Sequence, residues 1–106
     1  MMTTYRREDT LDALRSSSNE LISTAVRACV EFLRIELQLA QTLLAMAANA
    51  REESARKRRI ARAAEAAAVV ERFIVAPPPP VRLPEEECAR LATELNRVRE
   101  RLTSMH

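Results

Sequence analysis

The apolar residues of the first long segment recur at the three- and four-residue spacing of an α-helix. The centre of this apolar face is formed by Ile22, Cys29, Leu33, Ala40 and Ala47, with Val26, Leu37, Leu43 and Leu44 beside them. The face is widened further by Ile35, Leu39 and Met46. A helix that is apolar over so much of its circumference has to be covered on more than one side. We therefore expect it to need a partner beyond the other helices of this chain.

Two interpretations of where this helix begins are open. The favoured start is marked by Ser17 and Glu20, which have the spacing of a capping box, in which each side chain satisfies a free backbone amide of the other residue. This predicts a helix over about 18–48, preceded by a flexible or short helical segment over 1–15. In the alternative, the helix is continuous from Asp9, since nothing in the sequence Ser-Ser-Ser-Asn at 16–19 forbids it.

A second helix is predicted over about 54–75. Its apolar stripe is narrower and consists of Ile60, Ala63, Ala66, Ala67, Val70, Phe73 and Ile74. Asn49 is expected to end the first helix in a left-handed conformation, and Ser54 to cap the start of the second. Because such a short connection joins neighbouring antiparallel helices, the two helices are predicted to form a hairpin.

A proline-rich linker at 76–84 follows the hairpin. Its four consecutive prolines favour polyproline II, which rises about 3.1 Å per residue. We expect a stiff strap that carries the chain back along the hairpin. The linker also matches the PxxPxR pattern of SH3 ligands, but a structural strap is the favoured interpretation.

A third helix is predicted over about 84–103, with Pro84 in its first turn. Its apolar residues form a strict heptad seam: Cys88, Leu91, Leu95, Val98, Leu102 and Met105. A seam this narrow packs into one groove, so we expect the helix to dock on the hairpin through its leucines and Val98. The predicted fold is all-α and three-helix bundle-like, with a single helical domain over 16–106.

The composition changes the picture mainly by what it lacks. The 106 residues contain no glycine and a single histidine, His106. Glycine-rich phosphate loops are therefore excluded, and the commonest acid/base group and metal ligand is missing from the interior of the chain. Aromatic residues make up only 3% of the sequence, so stacking platforms for bases are not expected. We predict a protein that is not an enzyme and binds no cofactor and no metal.

Charge and hydropathy favour a cytoplasmic protein that does not enter a membrane. The formal net charge is +2, and the N-terminal residues include no apolar signal segment. The longest uncharged run, 37–50, is shorter than the ~20 residues that a membrane-spanning helix needs. The two cysteines, Cys29 and Cys88, lack metal-binding spacing and are expected to be reduced thiols.

Glu36 is the sharpest anomaly in the pattern, because it lies near the centre of the wide apolar face. A buried carboxylate is costly unless it is paired. We expect it to be buried and paired with Arg59 or Arg62, or with an arginine of a second subunit. The alternative interpretations are a rim position at an interface, and a metal ligand or general base.

The densest charge cluster is a candidate anion-binding site and consists of Arg56, Lys57, Arg58, Arg59 and Arg62. These side chains point around the whole helix, and no aromatic residues are interleaved with them. Nucleic-acid binding is therefore not the favoured function, although it is the alternative.

The function that the sequence favours is a small helical scaffold or protein-interaction module. We expect it to form a homo-oligomer, most simply a dimer, through Ile35, Leu39 and Met46. A different protein partner is also possible on this pattern. The biological process in which the module takes part is not indicated by any motif.

Overall fold

Three α-helices connected by short segments make up the fold in a computed structural model, which describes residues 7–105. Helix α1 spans Arg7–Ala48, α2 spans Glu53–Val75 and α3 spans Glu85–Ser104. Helix α2 runs antiparallel to α1. Helix α3 runs antiparallel to α2 and is therefore parallel to α1. The all-α, three-helix bundle-like fold predicted from the sequence is confirmed.

The core lies where the three helices meet. From α1 it receives a heptad series that we call the core seam: Val30, Leu33, Leu37, Ala40, Leu44 and Ala47. The predicted stripe of α2 contributes its buried residues Ile60, Ala63, Ala66, Ala67 and Val70. Leu91, Leu95 and Val98 of α3 close the core, with Leu102 and Met105 packed against its edge. The predicted docking of α3 through its seam is thus confirmed.

Alanines dominate the contact between α1 and α2. Ala40 and Ala47 on α1 and Ala63 on α2 are fully buried. Small side chains let two helix backbones approach closely, so the contact has no room for a larger residue. The hairpin is closed at one end by larger groups, with the rings of Phe32 and Phe73 at a centroid distance of 5.9 Å.

Polar contacts between the helices lie around this core. Arg34 of α1 pairs with Glu87 of α3 at 3.0 Å, and Gln41 of α1 donates to Glu94 of α3 at 2.9 Å. Arg99 of α3 forms an ion pair with Glu71 of α2. All of these groups are at least partly solvent-exposed, so each pair contributes little to the stability of the bundle and mainly helps to orient the helices.

Helix α1 begins earlier than the favoured interpretation predicted. It is continuous from Arg7, and the serines at 16–18 lie inside it. The capping-box interpretation at Ser17 is therefore wrong and the continuous alternative is correct. Residues 1–6 of the segment predicted to be flexible or short helical lie outside the described residues.

The early start gives α1 a projecting segment. With 42 residues, α1 is about 63 Å long, whereas α2 has 23 residues and spans about 35 Å. Residues 7–24, which we call the arm, extend beyond the bundle, and every described side chain from 10 to 24 is exposed. The whole molecule is consequently elongated, with extents of 80 × 22 × 15 Å.

The turn between α1 and α2 differs in detail from the prediction. No described residue has a positive φ, so Asn49 does not end α1 in the left-handed conformation. Its side chain instead donates to the carbonyl of Ala45, one turn earlier. Helix α2 begins at Glu53 after an extended Glu52, which places Ser54 inside the first turn and not at the cap.

The proline linker is not the expected strap along the hairpin. Because α3 starts at the end of the bundle where α2 finishes, the linker only has to reverse the chain. It does so through a turn at 79–80, where the amide of Val81 donates to the carbonyl of Pro78 at 2.9 Å. Pro84 immediately precedes α3 as its N-cap residue and is not part of its first turn.

Candidate functional site

A second apolar seam runs along the outside of α1. Its positions repeat at alternating spacings of three and four residues, from the arm to the far end of the helix. We call it the outer seam; it consists of Leu11, Leu14, Ser18, Leu21, Ala25, Ala28, Phe32, Ile35, Leu39, Thr42 and Met46. This is the spacing that places two helices together along a coiled-coil contact. Helix α1 therefore carries two heptad faces: one is filled by α2 and α3, and the other is largely exposed, although Phe32 on it also packs against Phe73 of α2.

The large side chains of the outer seam are exposed to solvent. Leu21 is 71% exposed, Leu14 59% and Ile35 54%, while Met46 and Phe32 are above 40%. Single exposed apolar residues are ordinary, but a series of them at heptad spacing along one helix face is typical of an interaction surface, and here the series is interrupted only by the polar Ser18 and Thr42 and the half-buried Leu39 among its larger members. Of the three residues predicted at an interface, Ile35 and Met46 are exposed and Leu39 is half-buried.

The residues that flank the outer seam differ in charge on its two sides. One flank consists of the residues that directly follow every second position of the outer seam: Arg15, Ile22, Cys29, Glu36 and Leu43. The other flank contains Ser17, Thr24, Glu31 and Gln38. In a coiled coil these flanking positions select the orientation and register of the partner.

Glu36 lies on the first flank and not in the core. It is half-buried, and the described part of the chain contains no buried charged residue. The expected pairing with Arg59 or Arg62 of the same chain is wrong, since Glu36 forms no ion pair or hydrogen bond with any described residue. The core centres on the core seam, whereas Glu36 lies at the edge of that seam, between it and the outer seam.

The basic cluster on α2 is divided by its own contacts. Arg56 donates to the carbonyl of Met105 at 2.9 Å and pairs with Glu53, and Arg59 donates to the carbonyl of Met46. These two side chains thus tie α2 to α3 and α1. Lys57, Arg58 and Arg62 are exposed and have no partner among the described residues.

An open depression of about 420 Å³ lies beside the first turns of α2. Its lining includes Arg56 and Lys57 but also Glu53, Ile60 and Met105. A lining that combines an acid with apolar groups does not converge on one anion, so the depression adds no support for phosphate binding.

The two cysteines are free thiols, and both are half-buried. Burial raises the pKa of the Cys29 thiol above its ordinary value. Because the thiolate is the nucleophile, this shift makes Cys29 a poor reactive centre at neutral pH. The thiol of Cys88 packs at the start of α3, 3.9 Å from the carbonyl of Leu83.

Within the described residues, no group of three or more His, Cys, Asp or Glu side chains is placed to hold a metal ion. None of the helices in that part of the chain is long and apolar enough to cross a bilayer.

Comparisons with known proteins do not add to this picture. No protein-family model matches the chain, and searches of curated proteins and of solved structures find no significant match.

The sequence contains the whole outer seam, but the predicted interface includes only three residues of its second half. Ile35, Leu39 and Met46 were identified as a widening of one broad apolar face. The missing signal was the strict three-four alternation that joins them to Leu11 and Leu14, which becomes recognisable only if the helix is continuous through 16–19. Placing a helix start at Ser17 cut the outer seam in two.

Proposed function

We propose that this chain is a non-enzymatic helical interaction module that self-associates through the outer seam of α1. The observation that carries the proposal is the row of exposed apolar side chains at heptad spacing along the full length of α1. A face of this kind is stabilised by burial against a second helix with the same repeat, and a second copy of the chain supplies one.

The arm provides independent support. In a single copy its described side chains, from residue 10 to residue 24, are all exposed. Most of the stability of a helix in a protein comes from tertiary packing of its apolar face and not from the helix propensity of its residues. Helix–helix association would give the arm the tertiary packing that the single chain does not provide.

The experiment is a comparison of molar mass by light scattering for the parent and for Ile35→Glu. We expect the parent to be dimeric at tens of micromolar and the variant to shift toward monomer. Burying an isoleucine is worth about 1.5–3 kcal/mol, and the change occurs twice in a dimer, so the dissociation constant should rise by at least about 100-fold.

Ser23→Glu is the matched control, because it adds the same charge at an exposed position of α1 that belongs neither to the outer seam nor to its flanks. Helix content by circular dichroism verifies that both variants keep the bundle. A parent chain that stays monomeric at these concentrations contradicts the proposal. If the parent is dimeric but Ile35→Glu does not weaken it, the dimer uses another face.

A further inference from the structure

We propose that two copies of this chain pair their α1 helices antiparallel, so that the arm of each copy lies on the outer seam of the other. In this arrangement Arg15 of one copy faces Glu36 of the second copy. The inference rests on the proposed self-association and adds the orientation, the register and the charged pair that select them.

The lengths of the two surfaces agree with an antiparallel arrangement. Leu11, Leu14 and Leu21 of the arm lie beyond the bundle. The part of the outer seam that lies over the bundle extends from Ala28 to Met46. Each arm therefore has nearly the length of the open seam that it would cover. In a parallel pair, the arm of one copy would instead lie on the arm of the other, and the two bundles would lie side by side.

The apolar layers fit when the two-fold axis passes between residues 26 and 27. The layers formed are Leu11 with Thr42, Leu14 with Leu39, Ser18 with Ile35, Leu21 with Phe32, and Ala25 with Ala28, each occurring twice. At the centre, the two alanine layers allow the helices to cross closely. Further out, leucines of the arm cover the exposed Phe32 and the half-buried Leu39.

The flanking charges select the same register. In an antiparallel coiled coil, each flank faces the same flank of the partner, so Arg15 lies opposite Glu36 and Ile22 opposite Cys29. Neither Arg15 nor Glu36 has an ion pair or a hydrogen bond within the described residues of its own chain, so both are free for this contact. The other flank brings Thr24 opposite Glu31 and produces no like-charge pair.

A parallel dimer lacks this complementarity. Parallel chains bring opposite flanks together, which places Glu31 of one copy beside Glu36 of the other, and like charges at facing positions are unfavourable. Shifting the antiparallel register by one heptad is also poorer, because it places Glu36 against Ile22 and leaves Arg15 opposite Leu43.

The geometry is tested by distances between spin labels attached in turn at residues 12 and 19. Both sites, Asp12 and Asn19, are exposed and point away from the outer seam. The labels are carried as Asp12→Cys or Asn19→Cys in a chain with Cys29→Ser and Cys88→Ser. Because a helix rises 1.5 Å per residue, the proposed dimer separates the two labels along the helix axis by about 44 Å at residue 12 and by about 22 Å at residue 19, to which the lateral spacing of the helices adds.

Each alternative predicts a different pair of distances. A parallel dimer gives the same short separation at both sites, set by a helix spacing of about 10 Å and the label arms. An antiparallel register shifted by one heptad changes both distances by about 10 Å. Equal distances at the two sites overturn the antiparallel arrangement but leave self-association standing, whereas absence of any intermolecular distance overturns both.

Charge reversal tests the specific pair. Arg15→Glu and Glu36→Arg should each raise the dissociation constant by roughly tenfold, since each creates two like-charge contacts per dimer. The double reversal should restore the parent value, which a merely structural effect on one chain would not do. Arg27→Glu is the matched control on the polar side of α1. Failure of the double variant to recover, with the labels still at the expected distances, overturns the Arg15–Glu36 contact.

Discussion

Leu95 is the side chain through which the docking of α3 is most directly tested. It is 5% exposed and belongs to the one core cluster that joins all three helices. Leu95→Ala removes three carbon atoms from that cluster, a loss of about 2.4 kcal/mol in transfer free energy alone. The unfilled cavity adds to this cost, so the free energy of unfolding should fall by about 2–5 kcal/mol.

The assay is thermal unfolding followed by circular dichroism at one fixed protein concentration, because association would make the midpoint concentration-dependent. For a bundle of this size, a loss of about 3 kcal/mol lowers the Tm by roughly 10–20 °C. Asn96→Ala is the matched control, since Asn96 is the exposed neighbour on the same helix. A Leu95→Ala variant that melts with the control would refute the conclusion that α3 is part of the core.

Three further predictions concern other parts of the molecule. Ala63→Leu should destabilise the bundle by about 1–3 kcal/mol because Ala63 is fully buried between α1 and α2, whereas Ala64→Leu on the exposed face should have little effect in the same melting assay. Cys29 should be alkylated more slowly than a cysteine placed at exposed Ser23, because burial raises the pKa of the Cys29 thiol and keeps it protonated. The alkylation rate of Cys29 should therefore rise only at higher pH than that of the exposed cysteine. Equal alkylation rates of the two cysteines by mass spectrometry would contradict this. Nucleic acid should not be retained through 56–62 at physiological salt, and steeply salt-dependent binding would favour the alternative function.

The buried faces of α2 and α3 were predictable because each is narrow. A single stripe on a helix leaves one way to place it against a core, so the positions of Ile60 and Leu91 followed from spacing alone. The fold class followed from the same stripes and from the short connection after α1. Helix ends at Ala48 and Val75 agreed with the prediction, because the apolar periodicity stops at both.

The face of α1 was harder to assign because its apolar arc is wider than one contact. A helical wheel gives the angle of Glu36 but not the direction from which α2 and α3 approach. Two heptad seams that share one helix merge into a single broad arc, and Glu36 lies between them. Only the packed structure separates the filled seam from the open one.

Local signals were also insufficient where two outcomes differ by little free energy. A capping box at Ser17 is worth about 1 kcal/mol, and continuing the helix through 16–19 recovers backbone hydrogen bonds of similar value. The proline linker presented a related difficulty, because its direction depends on where α3 packs and not on the conformation that prolines favour.

The unequal lengths of α1 and α2 divide the molecule into a part that has its own hydrophobic core and a part that has none. The bundle carries its own hydrophobic core, whereas the backbone hydrogen bonds of residues 7–24 are protected from water only by the helix they form. Amide hydrogens of the arm therefore exchange at a rate governed by local opening, while those beside Leu33 and Leu44 exchange only when the bundle unfolds. If the arms dock on a second copy, dilution removes the order of the arm before it affects the bundle, and the amount of ordered helix becomes a measure of protein concentration.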